Sequence, residues 1–181
     1  MIKTRRELKE YLKADEAYFR TFSKKVQMID RLTNANLYAT TNFLKKLRKE
    51  EFYFNNRKNP FYMLMYIAQR RRRMKLGKQL GFTIEPNSLG KGARLEHYGS
   101  VVINADAKIG ENCCLRGNNC IGMGGDGQSP VIGDRVDIGF GAVIIGGIEI
   151  ADDVKIGAGA VVVKSCSKKG ATLVGVPARE L

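Results

Sequence analysis

His97 is the only histidine in the chain, set in the stretch LEHYGSVVIN with Glu96 beside it. A neutral imidazole can take a proton from a hydroxyl near neutral pH, which makes His97 the candidate general base. A lone histidine can equally be structural, with its hydrogen bonds satisfied. A second candidate is the glycine-rich stretch IGMGGDGQSP, residues 121–130. Backbone N–H groups in such a loop can approach a ligand closely and stabilise a developing oxyanion, with Gly124 and Gly125 first in line. Gly122, Gly124 and Gly127 fit GxGxxG, but no helical pattern follows, so a dinucleotide fingerprint is rejected. Lys164, Lys168, Lys169 and Arg179 could hold phosphate groups of a nucleotide-like cofactor, or be ordinary surface charge. The four cysteines, Cys113, Cys114, Cys120 and Cys166, show no CxxC pairing. With one histidine in the chain no metal site is expected, and the thiols read as packing residues.

These residues must be positioned by a repeat. Aliphatic residues recur every sixth position at Ile109, Leu115, Ile121, then Ile132, Ile138, Ile144, Ile150, Ile156 and Val162. A period of six fits neither an α-helix nor a two-residue strand alternation. It fits a solenoid of very short strands, one strand and one tight turn per hexad, with the aliphatic side chain inward. The slip from Ile121 to Ile132 makes the glycine-rich stretch a loop bulging from a regular scaffold, where function tends to sit. Ile84, Leu89, Leu95 and Val101 read as an irregular opening coil, and Ile103 joins the phase. At three hexads per turn the solenoid has about four to five coils. The tail GATLVGVPAREL leaves the hexad phase and is expected to fold back over the last coil.

Upstream, the pattern is helical. Leu8, Tyr11, Leu12, Phe19 and Phe22 share one face, and residues 26–50 continue at similar spacings. Asn59-Pro60 starts a further helix over 61–76. Its Arg70–Arg73 run is read as C-terminal, where the helix dipole favours cations. Net charge is +13 overall, but residues 1–80 hold 21 Lys and Arg against 7 Asp and Glu. Two units are expected, a basic α-helical region 1–82 and a mainly β solenoid 83–181. The basic helices have two readings: solvated faces packing by apolar stripes, or docking on an anionic surface such as a membrane leaflet. Their aromatics are not interleaved with cations as in a nucleic-acid stacking platform, so no nucleic-acid partner is expected. No signal-peptide pattern opens the chain, and no apolar run is long enough to span a bilayer, so a cytoplasmic location is expected.

The ladder, the segment GAGAVVVK and the closing GVPAR resemble the hexapeptide-repeat acyltransferases. From Ile84 to Arg179 the chain resembles the serine acetyltransferase branch. EHYGSVVIN and the short basic N-terminus are most similar to members associated with capsule and surface-polysaccharide genes. The resemblance implies a left-handed parallel β-helix, a homotrimer, and acetyl-coenzyme A as co-substrate in the cleft between neighbouring solenoids, with no metal. It places the catalytic histidine at His97, with Glu96 where relatives carry Asp. Cofactor contacts fall around Phe140 and Ala158, and its far end near Lys164 and Arg179. Three departures bear on the acceptor. The family's orienting carboxylate would fall near Thr83, where Glu85 is the nearest acid. Glu96 replaces Asp. Gln128 and Ser129 stand where the family's enzymes for free serine carry an Arg–His pair, leaving Asp126 as the loop's only charge. These changes remove partners for a serine carboxylate and point to a sugar hydroxyl of a surface-polysaccharide precursor. L-Serine O-acetylation and a non-catalytic scaffold are the alternatives.

Overall fold

The structure, a computed structural model, describes residues 1–181. Four helices precede the solenoid: α1 (Arg5–Glu16), α2 (Lys24–Thr33), α3 (Asn36–Asn55) and α4 (Pro60–Leu80), with a 3₁₀ turn at Phe19–Thr21. Local chemistry sets their ends. Thr4 Oγ1 accepts from the Glu7 N–H at 3.1 Å, and the Glu7 carboxylate accepts from the Thr4 N–H at 2.8 Å, a reciprocal cap on α1. Asn59 caps α4 ahead of Pro60, and Gly81 closes it at φ +79°.

Two helical expectations are corrected. α4 runs on to Leu80, so Arg70–Arg73 lie mid-helix and the dipole does not account for them. Met28, Ile29 and Leu32 of α2 are exposed, so apolar spacing there does not mean burial.

The β strands follow in five coils. The first has β1 (Phe82–Ile84) and β2 (Arg94–Leu95), with Leu89 bridging to the second. The second has β3 (Val101–Ile103), β4 (Lys108–Ile109) and β5 (Cys114–Leu115). The third has β6 (Cys120–Gly122), β7 (Val131–Ile132) and β8 (Asp137–Ile138). The fourth has β9 (Val143–Ile145), β10 (Glu149–Ile150) and β11 (Lys155–Ile156). The fifth has β12 (Val161–Val162), a bridge at Cys166, and β13 (Thr172–Gly175). Equivalent strands stack in parallel into three faces: β1-β3-β6-β9-β12, β4-β7-β10, and β2-β5-β8-β11-β13. β14 (Ala178–Glu180) then turns back antiparallel on β13, the expected fold-back of the tail.

Each coil sends three apolar side chains inward, for example Ile121, Ile132 and Ile138, all at most 2% exposed. Cys113 lies in a buried column with Ala93, Val136, Val154 and Ala171. Burial pushes its thiol up to about 11, so it is an inert packing residue. Between the second and third faces one residue per coil takes a left-handed conformation: Gly92, Asn112, Arg135, Asp153 and Gly170.

Helices and solenoid share one core, in which Phe43, Leu44 and Leu47 of α3 meet Phe82 and Ile84. Ion pairs bolt the same junction. Arg48, fully buried, meets Asp15 at 2.7 Å and Glu51 at 3.1 Å. It also donates to the carbonyls of Leu89 (2.8 Å) and Gly90 (2.6 Å) in the first coil. Asp15 accepts from the Gly92 N–H and Glu51 from the Asn87 N–H. Removing one partner would strand buried carboxylates and two carbonyls. Arg48→Met is therefore expected to lower unfolding free energy by roughly 3–5 kcal/mol, read from urea denaturation. A loss below about 1 kcal/mol would mean that this cluster does not hold the helices to the solenoid.

Candidate active site

The strand register decides which residues share a corner. Leu95, Leu115, Ile138 and Ile156 lie over one another in successive coils. Two residues beyond each come His97, Gly117, Phe140 and Ala158, so these four stack along one edge of the prism. The structure thus aligns His97 with the two residues expected to touch a cofactor. It also adds Gly117, which the sequence gave no reason to single out. A Cβ built on Gly117 would lie 3.2 Å from His97 Cβ and 3.1 Å from the Phe140 ring, at φ +121°. Glycine here lets the imidazole and the exposed Phe140 ring lie on either side of an uncluttered step.

The His97 ring is held from the helical region. Asn36, at the start of α3, places its side-chain nitrogen 3.1 Å from His97 Nδ1 and 2.7 Å from the Glu96 carbonyl. Its Oδ1 accepts from the Tyr98 N–H at 3.3 Å. This pattern fixes the amide, because the flipped form would face carbonyl with carbonyl and N–H with N–H. Nδ1 is therefore an acceptor, and the neutral ring carries its proton on Nε2. Asn36 is the candidate site residue that the sequence gave no reason to single out. The signal was a lone Asn at a helix start, 61 residues from its partner.

No carboxylate orients the ring. Glu96 is not beside the imidazole; its carboxylate lies between Arg94 and Arg116, 3.1 Å from each, and Arg116 continues to Asp137 at 2.7 Å. Both residues lie in the turn beyond the end of β2, Glu96 held by the two arginines and His97 by Asn36. Glu85 turns to Arg70 (3.4 Å) and Arg73 (3.7 Å) at the helix junction. Thr83 is exposed in β1.

The glycine-rich loop leaves the next corner of the prism, between β6 and β7. One chain therefore does not bring it to His97. The loop is tied internally. The Gly124 N–H donates to the Gln128 carbonyl at 2.9 Å, which takes Gly124 out of the expected oxyanion role. A Cβ there would also lie 2.7 Å from Gly146 Cα. The Gly125 N–H has no hydrogen-bond partner in the chain, and a Cβ at this position would meet nothing within 4 Å. Asp126 accepts from the N–H groups of Gln128 (3.0 Å) and Gly147 (3.3 Å), and these bonds hold its carboxyl below the usual range. Ser129 donates to Asn104 at 3.1 Å. Lys164 and Arg179 line one cleft at the far end of the solenoid, and neither is ion-paired. The chain has no cluster of His, Cys, Asp or Glu that could hold a metal ion.

No family model matches the chain. It is 39% identical over 101 residues to the serine acetyltransferase of Mycobacterium tuberculosis, covering 54% of this chain and 44% of that protein. The soybean serine acetyltransferase apoenzyme superposes with a TM-score of 0.74 at 29% identity, covering 96% of this chain and 69% of that one. The serine complex of Neisseria gonorrhoeae serine acetyltransferase gives 0.75 at 28% identity, over 98% and 70%. The chain is serine acetyltransferase-like in sequence and in fold. It spans about half the length of the curated relatives it matches. These relatives are serine enzymes, and they favour the serine alternative over the surface-polysaccharide reading.

Gly117→Ala is expected to lower turnover by roughly tenfold or more, because a 1 Å displacement at a reacting group can cost that and beyond. The measurement is thiol release from acetyl-coenzyme A, with circular dichroism as the folding control. An unchanged rate would show that the His97–Phe140 step tolerates a methyl group.

Proposed function

We propose that this chain is an acetyl-coenzyme A-dependent O-acetyltransferase with His97 as the residue that takes the proton from the acceptor hydroxyl. The observation that carries the reading is the single column of His97, Gly117, Phe140 and Ala158 along one edge; unpaired Lys164 and Arg179 line a cleft at the far end of the solenoid. Such an edge suits an extended thioester: small residues leave room for its arm, and free cations at the far end suit its phosphates. The resemblance makes the working unit a homotrimer. That fits a loop and a histidine on different corners, since a neighbouring copy's loop could complete the site.

In this reading the acceptor oxygen attacks the thioester carbonyl as His97 takes its proton at Nε2. The tetrahedral oxyanion is met by backbone N–H groups, of which Gly125 is a free one in the loop. Collapse breaks the C–S bond, and the imidazolium returns its proton to the departing thiolate. Before this, the ring must move its resting proton from Nε2 to Nδ1. That requires Asn36 to turn its oxygen toward the ring and give up its bonds to Glu96 and Tyr98, a cost of about 1–3 kcal/mol.

For the acceptor, L-serine is the reading that the relatives support best. A neutral sugar hydroxyl is the second reading, favoured by specific pairings: Gln128 and Ser129 bring no cation to the loop, and Glu85 and Glu96 are both matched by Arg. The assay offers acetyl-coenzyme A with L-serine, nucleotide sugars or lipid-linked sugars, and follows thiol release. Metabolic rates with serine would remove the sugar reading. His97→Ala is expected to slow the reaction by roughly 10²–10⁴-fold with folding intact. If the variant and the parent behave alike, and coenzyme A gives no thermal protection, a scaffold replaces the enzyme.

The lone histidine also allows a direct test of Asn36. Nitrogen-15 NMR of the imidazole is expected to show the neutral ring protonated on Nε2, and Asn36→Ala to bring in the other tautomer. A wild-type ring protonated on Nδ1 would overturn the assignment, whatever the activity.

A further inference from the structure

α4 carries six cations, Arg70 to Arg73, Lys75 and Lys78, and no acidic residue. Only Arg70 and Arg73 are turned inward, where they meet Glu50 and Glu85. At 100° per residue, Leu64, Ala68, Arg71, Lys75 and Lys78 form the stripe opposite those two. Its first turns are apolar and open to solvent: Phe61 is 63% exposed, Leu64 60% and Ile67 44%. Its last turns are exposed cations without partners. α3 extends the positive field sideways. Lys46 there has its pKa lowered first by burial and then by the nearby charges of Lys49, Arg72 and Lys45. Lys45 is paired with Glu16, but Lys46, Lys49 and Arg72 have no carboxylate partner and repel one another, and an anionic surface would relieve that.

We infer that the outer face of α4, with the adjoining lysines of α3, docks the protein on an anionic lipid bilayer. Apolar side chains at one end of the stripe and cations over the rest match the two components of such a surface. Phe61 and Leu64 can enter the acyl boundary while Arg71, Lys75 and Lys78 meet the headgroups. A polyanion such as nucleic acid would use the cations and leave Phe61 and Leu64 in water. A second copy of this face would set like charges against each other. The rest of the chain offers no strongly acidic counterpart, since residues 81–181 hold 10 Lys and Arg against 11 Asp and Glu. The exposed apolar row on α2, with Lys24 and Arg31 beside it, has the same composition. This docking does not depend on the proposed chemistry.

The test is co-sedimentation of the full chain with phosphatidylcholine vesicles, with and without phosphatidylglycerol. Wild-type protein is expected to pellet with the anionic vesicles only, and less as salt rises. The double variant Arg71→Glu/Lys75→Glu should lower the bound fraction at least tenfold. Phe61→Ser/Leu64→Ser should lower it severalfold while leaving mass by light scattering unchanged. Thiol release in free solution should not change in either variant. Equal binding to both vesicle types, or to neither, would overturn the inference. So would a Phe61→Ser/Leu64→Ser variant that loses subunits, since the face would then be an interface between copies. Unchanged vesicle binding in that variant, with equal capture by heparin, would mark a general polyanion site instead.

Discussion

Every coil of this protein must place the same position over the same position of the coil below. The strands are two to four residues long and have no stability of their own. Their hydrogen bonds run to the neighbouring coils, as from the Arg116 N–H to the Ile138 carbonyl and from the Arg94 N–H to the Cys113 carbonyl. A register slip in one coil would break the ladder and the inward column together. The same constraint generates the candidate site. Residues separated by about twenty in sequence, His97, Gly117, Phe140 and Ala158, become neighbours along one edge because the register forces them there. Extra chain can leave only at a corner, and residues 123–130 do so.

A stack of parallel coils has two ends with unpaired backbone groups. The far end is closed by β14. At the near end, side chains of α1 and α3 serve where another coil would: Arg48 donates to the Leu89 and Gly90 carbonyls, and Asp15 and Glu51 accept from the Gly92 and Asn87 N–H groups. Buried ions are costly to desolvate, and apolar substitutes would pack as well. Apolar side chains could not satisfy those backbone groups, which is why charge is retained there. The helices also deliver Asn36 to His97, so closing the first coil and setting the ring's proton are tasks of the same element, α3.

The hexad ladder made the solenoid, its coils and its loop legible, because a six-residue phase of Ile and Val is a periodic signal. His97 was legible as the lone imidazole. What could not be read were contacts across long separations. Asn36 and His97, or Arg48 and the first-coil carbonyls, leave no local pattern, since a helix start and a strand end carry no mark of facing each other. Gly117 was one glycine among 20 until the register put it between two large side chains. Arg70–Arg73 misled for a physical reason. A cation run suits a helix end, but here the helix continues through Met74–Leu80, and the turn's angular spacing sends two arginines to buried carboxylates and two to solvent.

Charge is also what separates the two acceptor readings. A free amino acid brings an ammonium and a carboxylate, and each needs a partner once water is excluded. Within one chain two acids near His97 in sequence are spoken for: Glu96 lies between two arginines, and Glu85 faces two more. The group nearest the ring is the neutral amide of Asn36. One carboxylate open to an ammonium is Asp126, arriving on the loop of another copy, whose oxygens already accept two backbone N–H groups but retain lone pairs. A serine carboxylate would find no arginine in that loop at all. A neutral polyol needs none of these partners. Serine as acceptor rests on the relatives, and the sugar on the pairing of these particular side chains.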